Sequence, residues 1–342
     1  MKKFGLFFLS VCMLLSLTAC EKVQRREYTF FGAFDTGISI TAYSKSEDEF
    51  KALCTMAEEK FHKLHRLFDI YANYEENNIK SINDNAGVSS VTVADEIIEL
   101  LLFSREMYKV SGGRLNVLMG SVLSIWHEYR ENGRTDEENA ELPGIGELKA
   151  AAEHCNIETL VIDAENNTVF ITDKAASLDV GAVAKGFACG IVADLLQKEG
   201  FEAVLINAGG NVCTIGEKPG GELWSVGVQS PFEPSESIAV RENVSGGVAT
   251  SGDYQRFYTV DGVDYGHIID GETLFPAGYM HSVTVFAESD YCGAEASAYA
   301  DAYSTAFFLM PPEQALAVCE QTSGIEIFIV QLDGTILKSS GW

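Results

Sequence analysis

The chain has 342 residues, 46% of them hydrophobic and 11% aromatic, and a formal charge of -26 at neutral pH. That length and apolar content exclude a disordered chain and suit one large or two intimately joined domains. So acidic a chain is no partner for nucleic acid, whose phosphates need clustered lysine and arginine; any phosphate ligand has to be met locally, by backbone amides, a lysine or a metal ion.

Residues 1–19 read as an export signal. Lys2 and Lys3 are the basic head, and Phe4 to Leu17 is an apolar run too short to span a bilayer comfortably. Leu17-Thr18-Ala19-Cys20 resembles a bacterial lipobox, which implies cleavage before Cys20 and a lipid on that cysteine. The expectation is a protein anchored to the cell membrane and facing away from the cytoplasm. Residues 20–27 form the tether and 28–342 a single domain.

Tyr28–Phe34 and Ile38–Tyr43 read as strands about a turn at Asp35-Thr36-Gly37. Ser46 caps a helix to Leu67, with Phe50, Leu53, Ala57, Phe61 and Leu64 at helical spacing. Asp95–Val110 is a second helix, closed by Gly112-Gly113. The acidic stretch Arg130–Glu147 reads as an exposed excursion. Leu160–Asp163 and Thr168–Ile171 alternate like a hairpin, followed by a helix over Ala184–Lys198 and a buried strand over Ala203–Ile206. The second half is strand-rich: Trp224–Val228, Ile238–Val240, Phe257–Val260, Tyr265–Ile269, Ser282–Phe286 and Glu326–Val330, with helices over Glu295–Met310 and Pro312–Gln321. The expected class is α+β, in two lobes about a cleft.

Two constellations carry chemistry. In Ser177-Leu178-Asp179-Val180-Gly181-Ala182-Val183-Ala184-Lys185-Gly186, a carboxylate, a glycine turn and a lysine stand at a helix N-terminus. Its unpaired amides and positive dipole end suit a phosphate, and Lys185 adds charge of the right sign. In Ala300-Asp301-Ala302-Tyr303-Ser304-Thr305, Asp301 and Thr305 share one helical face. A carboxylate with a hydroxyl is hard-oxygen ligation, suited to Mg²⁺ and not to zinc. Six further cysteines, Cys54, Cys155, Cys189, Cys213, Cys292 and Cys319, are scattered without CxxC spacing, so free thiols are expected.

Together with Phe34-Asp35-Thr36, Asn207-Ala208-Gly209-Gly210-Asn211, Thr250-Ser251-Gly252 and His267-Ile268-Ile269-Asp270, these motifs resemble the ApbE family of FAD:protein FMN transferases over roughly residues 28–330. The resemblance implies an ApbE-like, T-fold-like arrangement of mixed sheets flanked by helices, with the ligand cleft between two lobes. It implies that Asp179 and Lys185 contact FAD, and that the Ala182 carbonyl, Asp301 and Thr305 hold Mg²⁺. By the same carry-over, Tyr71 packs on the flavin, Phe34, Gly113, Arg114 and Leu115 line the dinucleotide pocket, and Ser251, His267 and Ile269 lie near the phosphates. His267 is the nominee for base, with Asp270 or a metal-bound water behind it, and Asp301 is the other catalytic residue. The implied acceptor is a hydroxyl of a respiratory or extracellular electron-transfer flavoprotein. Asp35, Asn116, Gly271 and Leu274 depart from the family's usual Gly, Asp, Pro and Gly. The alternatives are an FAD pyrophosphatase working at the same site, a non-catalytic flavin-binding lipoprotein, and a redox flavoenzyme.

Overall fold

A computed structural model describes residues 23–342 apart from Pro234, so the signal segment, Cys20 and the first part of the tether lie outside the described residues. Strands β1 (Gln24–Ala33) and β2 (Thr36–Ser44) form the opening hairpin, and the first begins inside the stretch read as tether. Helix α1 (Glu47–Phe68) follows, its first turn fastened by Ser46, whose hydroxyl accepts from the Glu49 amide. Next come α2 (Ile79–Asp84), the short β3 (Val91–Thr92) and α3 (Asp95–Val110). The supposed excursion is a correction: α4 (Gly120–Thr135) runs into it, and α5 (Ile145–Ala152) begins at its end.

The hairpin β4 (Leu160–Asp163) and β5 (Thr168–Ile171) leads to α6 (Ala184–Lys198). Strands β6 (Val204–Ala208), β7 (Asn211–Ile215), β8 (Trp224–Gln229), β9 (Ser237–Val244) and β10 (Gly246–Gly252) follow. Then come β11 (Phe257–Val260), β12 (Val263–Gly266) and β13 (Met280–Glu288). The chain closes with α7 (Ser289–Cys292), α8 (Ala296–Phe308), α9 (Pro312–Cys319), β14 (Ile325–Gln331) and β15 (Ile336–Lys338). The strand expected over Tyr265–Ile269 therefore stops at Gly266, and Ile269 makes only an isolated bridge to Pro276.

Eight strands make one antiparallel sheet in the order β1-β2-β6-β7-β10-β13-β14-β15. Alternation puts Ile38, Ile40, Val204, Ile206, Val283 and Val285 on the face that α1, α6 and α8 cover, forming the main core. The other face carries Val212, Val248 and Phe286, packed under Trp224 and Val226 of the β8–β9 hairpin. A separate small core unites Met119, Val122 and Trp126 of the α4 region with Tyr258 and Val260 of β11. The main core and this small one are the two lobes, and the cleft lies where they meet. No helix among the described residues is long and apolar enough to cross a membrane. The six cysteines are unpaired, four of them buried.

Candidate active site

A cavity of about 470 Å³ opens between the lobes. Its floor is the start of α6. Leu178, just before the turn, is pinned from both sides by Asn83 of α2, which accepts from the Leu178 amide at 2.7 Å and donates to its carbonyl at 3.0 Å. Asp179 accepts from the Gly181 amide at 2.9 Å, and its own amide bonds the Val117 carbonyl. The segment is thus rigid before it enters the helix, and Lys185 stands in the first turn facing the cavity. Burial pushes the Asp179 carboxyl up, while the Gly181 amide, His127, Arg130 and Lys185 pull it back.

Helix α8 meets this turn edge-on. The Gly186 amide donates to Asp301 Oδ2 at 2.8 Å, so the buried carboxylate fastens one helix to the other. Burial drives the Asp301 carboxyl up, opposed by Lys185, the Gly186 amide and Asn211. One turn on, Thr305 Oγ1 lies 3.5 Å from Ser251 Oγ, which bonds Ser304 Oγ at 2.9 Å. Ala182, Asp301, Thr305, Asn211 and Ser251 all line the cavity. Residues 119 places apart in sequence, Ala182 and Asp301, therefore line one cavity. Among the described residues no group of three or more His, Cys, Asp or Glu side chains is placed to hold a metal. Asn211 Oδ1 is buried here without a partner.

Aromatic rings line the same cavity. Phe34 sits at the β1–β2 tip, its ring against Phe61, His65 and Phe68. Tyr71 is 62% exposed and lies against His127 at 5.4 Å. Asp69 shapes that loop, accepting from the Tyr71 amide at 2.6 Å, the Ala72 amide at 3.1 Å and the Tyr74 hydroxyl at 2.8 Å. Burial would raise the Asp69 carboxyl, but those three bonds outweigh it and hold it below the usual range. Arg114, Leu115 and Ile269 join the lining.

Gly113 does not. Its backbone is left-handed at φ +87, and an added Cβ would touch Tyr108, so it serves the turn after α3. Asp270 is also away from the lining: its carboxylate accepts from the Glu272 amide and the Tyr279 hydroxyl within its own loop. His267 lines the cavity alone; burial, then Arg256, Lys185 and Arg130, lower it to about 4. It bonds the backbone of Arg256, while its Nδ1 is buried without a partner.

Sequence reasoning missed the α4 contribution. Met119, Leu123, Trp126, His127 and Arg130 face the cavity at spacings of one helix side, a signal that was present in the sequence. Arg130, read as the start of an exposed excursion, donates to His127 Nδ1 at 2.7 Å, with only 16% of its side chain exposed. Asn116 also lines the wall, donating to the Cys155 carbonyl at 2.7 Å. Lys185, Arg114, Arg130 and Arg256 thus give one cavity four cations in a strongly acidic chain.

A profile of the ApbE family matches residues 34–329. The chain belongs to that family. A relative from Treponema pallidum, named FAD:protein FMN transferase, is 28% identical over 354 residues, spanning 97% of this chain and 92% of the relative. A Klebsiella pneumoniae protein of the same name is 27% identical over 285 residues, spanning 80% and 84% respectively. Among solved structures, the ApbE protein of Thermotoga maritima superposes with a TM-score of 0.80 at 29% identity, covering 93% of this chain and 98% of its own. The apo flavinyl transferase ApbE of Pseudomonas stutzeri gives 0.77 at 23% identity over 93% of this chain and 95% of its own, a likeness of fold. The ApbE architecture expected from the motifs is the one the chain adopts.

Proposed function

We propose that this ApbE-family enzyme, a transferase, moves the FMN half of FAD to a serine or threonine hydroxyl of an acceptor flavoprotein and releases AMP. The observation that carries the reading is the pair of residue sets that line this cavity: the aromatic rings of Phe34, Tyr71 and Trp126, and the cations Lys185, Arg130 and Arg256. An isoalloxazine ring suits the first, and a diphosphate the second. In the transfer, the hydroxyl oxygen bonds to the FMN phosphorus while the bond from that phosphorus to the AMP phosphate oxygen breaks. The hydroxyl proton goes to a base, and AMP leaves with the negative charge. Positioning and charge neutralisation supply most of the rate in such reactions.

Lys185 and the positive dipole end of α6 meet the phosphate charge that develops. His267 is neutral near pH 7, and its unpartnered Nδ1 is free to accept the proton; Asp270, tied into its loop, gives it no help.

The donor set fits Mg²⁺. Asp301, Thr305 and the Ala182 carbonyl are all oxygens on one wall, with the orphaned Asn211 Oδ1 beside them. Such a sparse set suits an ion that completes its shell with water and substrate phosphate. Bound there, Mg²⁺ supplies neutralisation of the diphosphate and of the departing AMP phosphate.

The test is mass spectrometry of an acceptor flavoprotein incubated with the enzyme, FAD and Mg²⁺. The reading expects one FMN mass gain per AMP released, both removed by EDTA and by Asp301→Asn; AMP release without any protein adduct would instead make the chain a pyrophosphatase. Export and lipid attachment at Cys20 are proposed from residues 1–20 alone, and the N-terminal mass of the membrane-extracted protein tests them.

A further inference from the structure

A second cavity, of about 500 Å³, adjoins the first and shares two of its wall residues, Thr250 and Gln255. It lies on the sheet face opposite the helices, between the β6–β7 hairpin and strand β8. Leu205, Asn207 and Val212 form one side, with Ser225, Val226 and Gly227 on the other. The Gly209-Gly210 turn borders both spaces: Asn211 lines the first cavity, and Asn207, Gly209 and Gly210 line the second. Both glycines are left-handed, at φ +58 and +93, and a Cβ on Gly210 would meet nothing within 4 Å. The Asn207-Ala208-Gly209-Gly210-Asn211 motif therefore leaves bare backbone where the two spaces meet.

The wall of this second space carries no charged side chain, although 22% of the chain is charged. It offers amides, hydroxyls and small apolar groups. That chemistry rejects a nucleotide or a metal ion and suits an uncharged polypeptide. Among the described residues β8 pairs with β9 alone, and its consecutive residues Ser225, Val226 and Gly227 line this space, a track that an extended peptide can follow.

We propose that this groove binds, in extended form, the segment of the acceptor protein that carries the modified hydroxyl. The inference rests on the transfer reading above and gives the second substrate its own place. From the groove the hydroxyl passes Thr250 and Gln255 to reach the FMN phosphorus, bonding to it as AMP departs and the proton is lost to the base. Residues flanking the hydroxyl are uncharged, because a buried ion would find no partner in these walls.

The test uses the full chain with FAD, Mg²⁺ and two pools of synthetic eleven-residue peptides, each with one central threonine. One pool draws its flanks from Gly, Ala, Asn, Gln, Val and Leu, and the other from Asp, Glu, Lys and Arg. The uncharged pool is expected to gain FMN at least tenfold faster. Ser225→Trp, at an exposed groove position, is expected to cut that labelling at least tenfold and leave FAD affinity within twofold, with Ser225→Ala behaving as wild type. Equal labelling of both pools, or full labelling by Ser225→Trp, overturns the groove. No labelling of either pool by the unaltered chain, with AMP still released, overturns the transfer reading and the groove with it.

Discussion

The Gly186 amide and the Asp301 carboxylate hold α6 against α8, and they meet only because Gly186 has no side chain. A Cβ there would lie 2.4 Å from Asp301 Cβ and 2.3 Å from the Ser297 carbonyl oxygen. Backbone cannot yield such distances cheaply, so the helices must separate. Gly186→Ala is expected to cost about 3 kcal/mol of stability and to lower transfer at least a hundredfold, since the wall bearing Asp301 and Thr305 moves with α8. Urea unfolding read beside FMN transfer checks both; an alanine variant as stable and active as the parent would show that the close approach is irrelevant.

The β1–β2 tip stores strain at the cavity. Phe34 and Asp35 stand at φ 54 and 52, a region that bulky and branched side chains avoid, in a two-residue turn that prefers Asn-Gly. Asp35→Gly is expected to raise stability by about 1 kcal/mol by removing the left-handed penalty. An unchanged or lower urea midpoint would mean that Asp35 makes compensating contacts in solution.

His267 gives the site a pH signature. Its folded value, about 4, lies below the ordinary 6.5 because burial and the Arg256, Lys185 and Arg130 charges disfavour the imidazolium. Between those values the unfolded chain binds more protons, so stability rises with pH there and is lost as pH falls from 6.5 towards 4. The contribution is about 2 kcal/mol for a partly buried ring. The stability difference between the parent and His267→Gln, measured without FAD from pH 7.5 to 4.5, is expected to shrink by that amount; a constant difference would remove His267 from the electrostatic account.

What the sequence displayed, and what it hid, follows from packing. Helix α1 was legible because apolar residues recur along one side against solvent on the other, and α6, mostly buried, because its apolar run is long and ends at Gly200. Strand β10, Gly246-Gly247-Val248-Ala249-Thr250-Ser251-Gly252, was not legible, since it is nearly all buried and built from small residues of low strand propensity. Those residues are small because α8 lies directly on them: a Cβ on Gly247 would sit 2.5 Å from Ser297 Cα. Helix α4 was obscured by its polar outer side, an internal Gly133 and the lack of a side-chain cap at Met119. Asp301, Thr305 and Lys185 were visible as motifs. Arg130 and His127 were not: they bond each other three places apart on α4, and only the fold carries that hidden helix to the cavity.

Arg130 reaches the flavin end through a relay of contacts. It donates to His127 Nδ1 at 2.7 Å, and the His127 ring in turn lies 5.4 Å from the ring of Tyr71. Tyr71 is mostly exposed, so its orientation depends on His127 more than on packing. Arg130→Met is expected to weaken FAD binding about tenfold, roughly 1.4 kcal/mol, by removing a cation from the phosphate end and by releasing His127. Tyr71→Ala alone is expected to cost a similar amount through lost ring stacking. If the relay is real, part of each loss is the same loss, and the double variant should fall short of the sum by about 1 kcal/mol. Titration of flavin fluorescence across the four proteins measures this directly. Strict additivity would mean that Arg130 acts on the phosphates alone and that Tyr71 finds its place unaided.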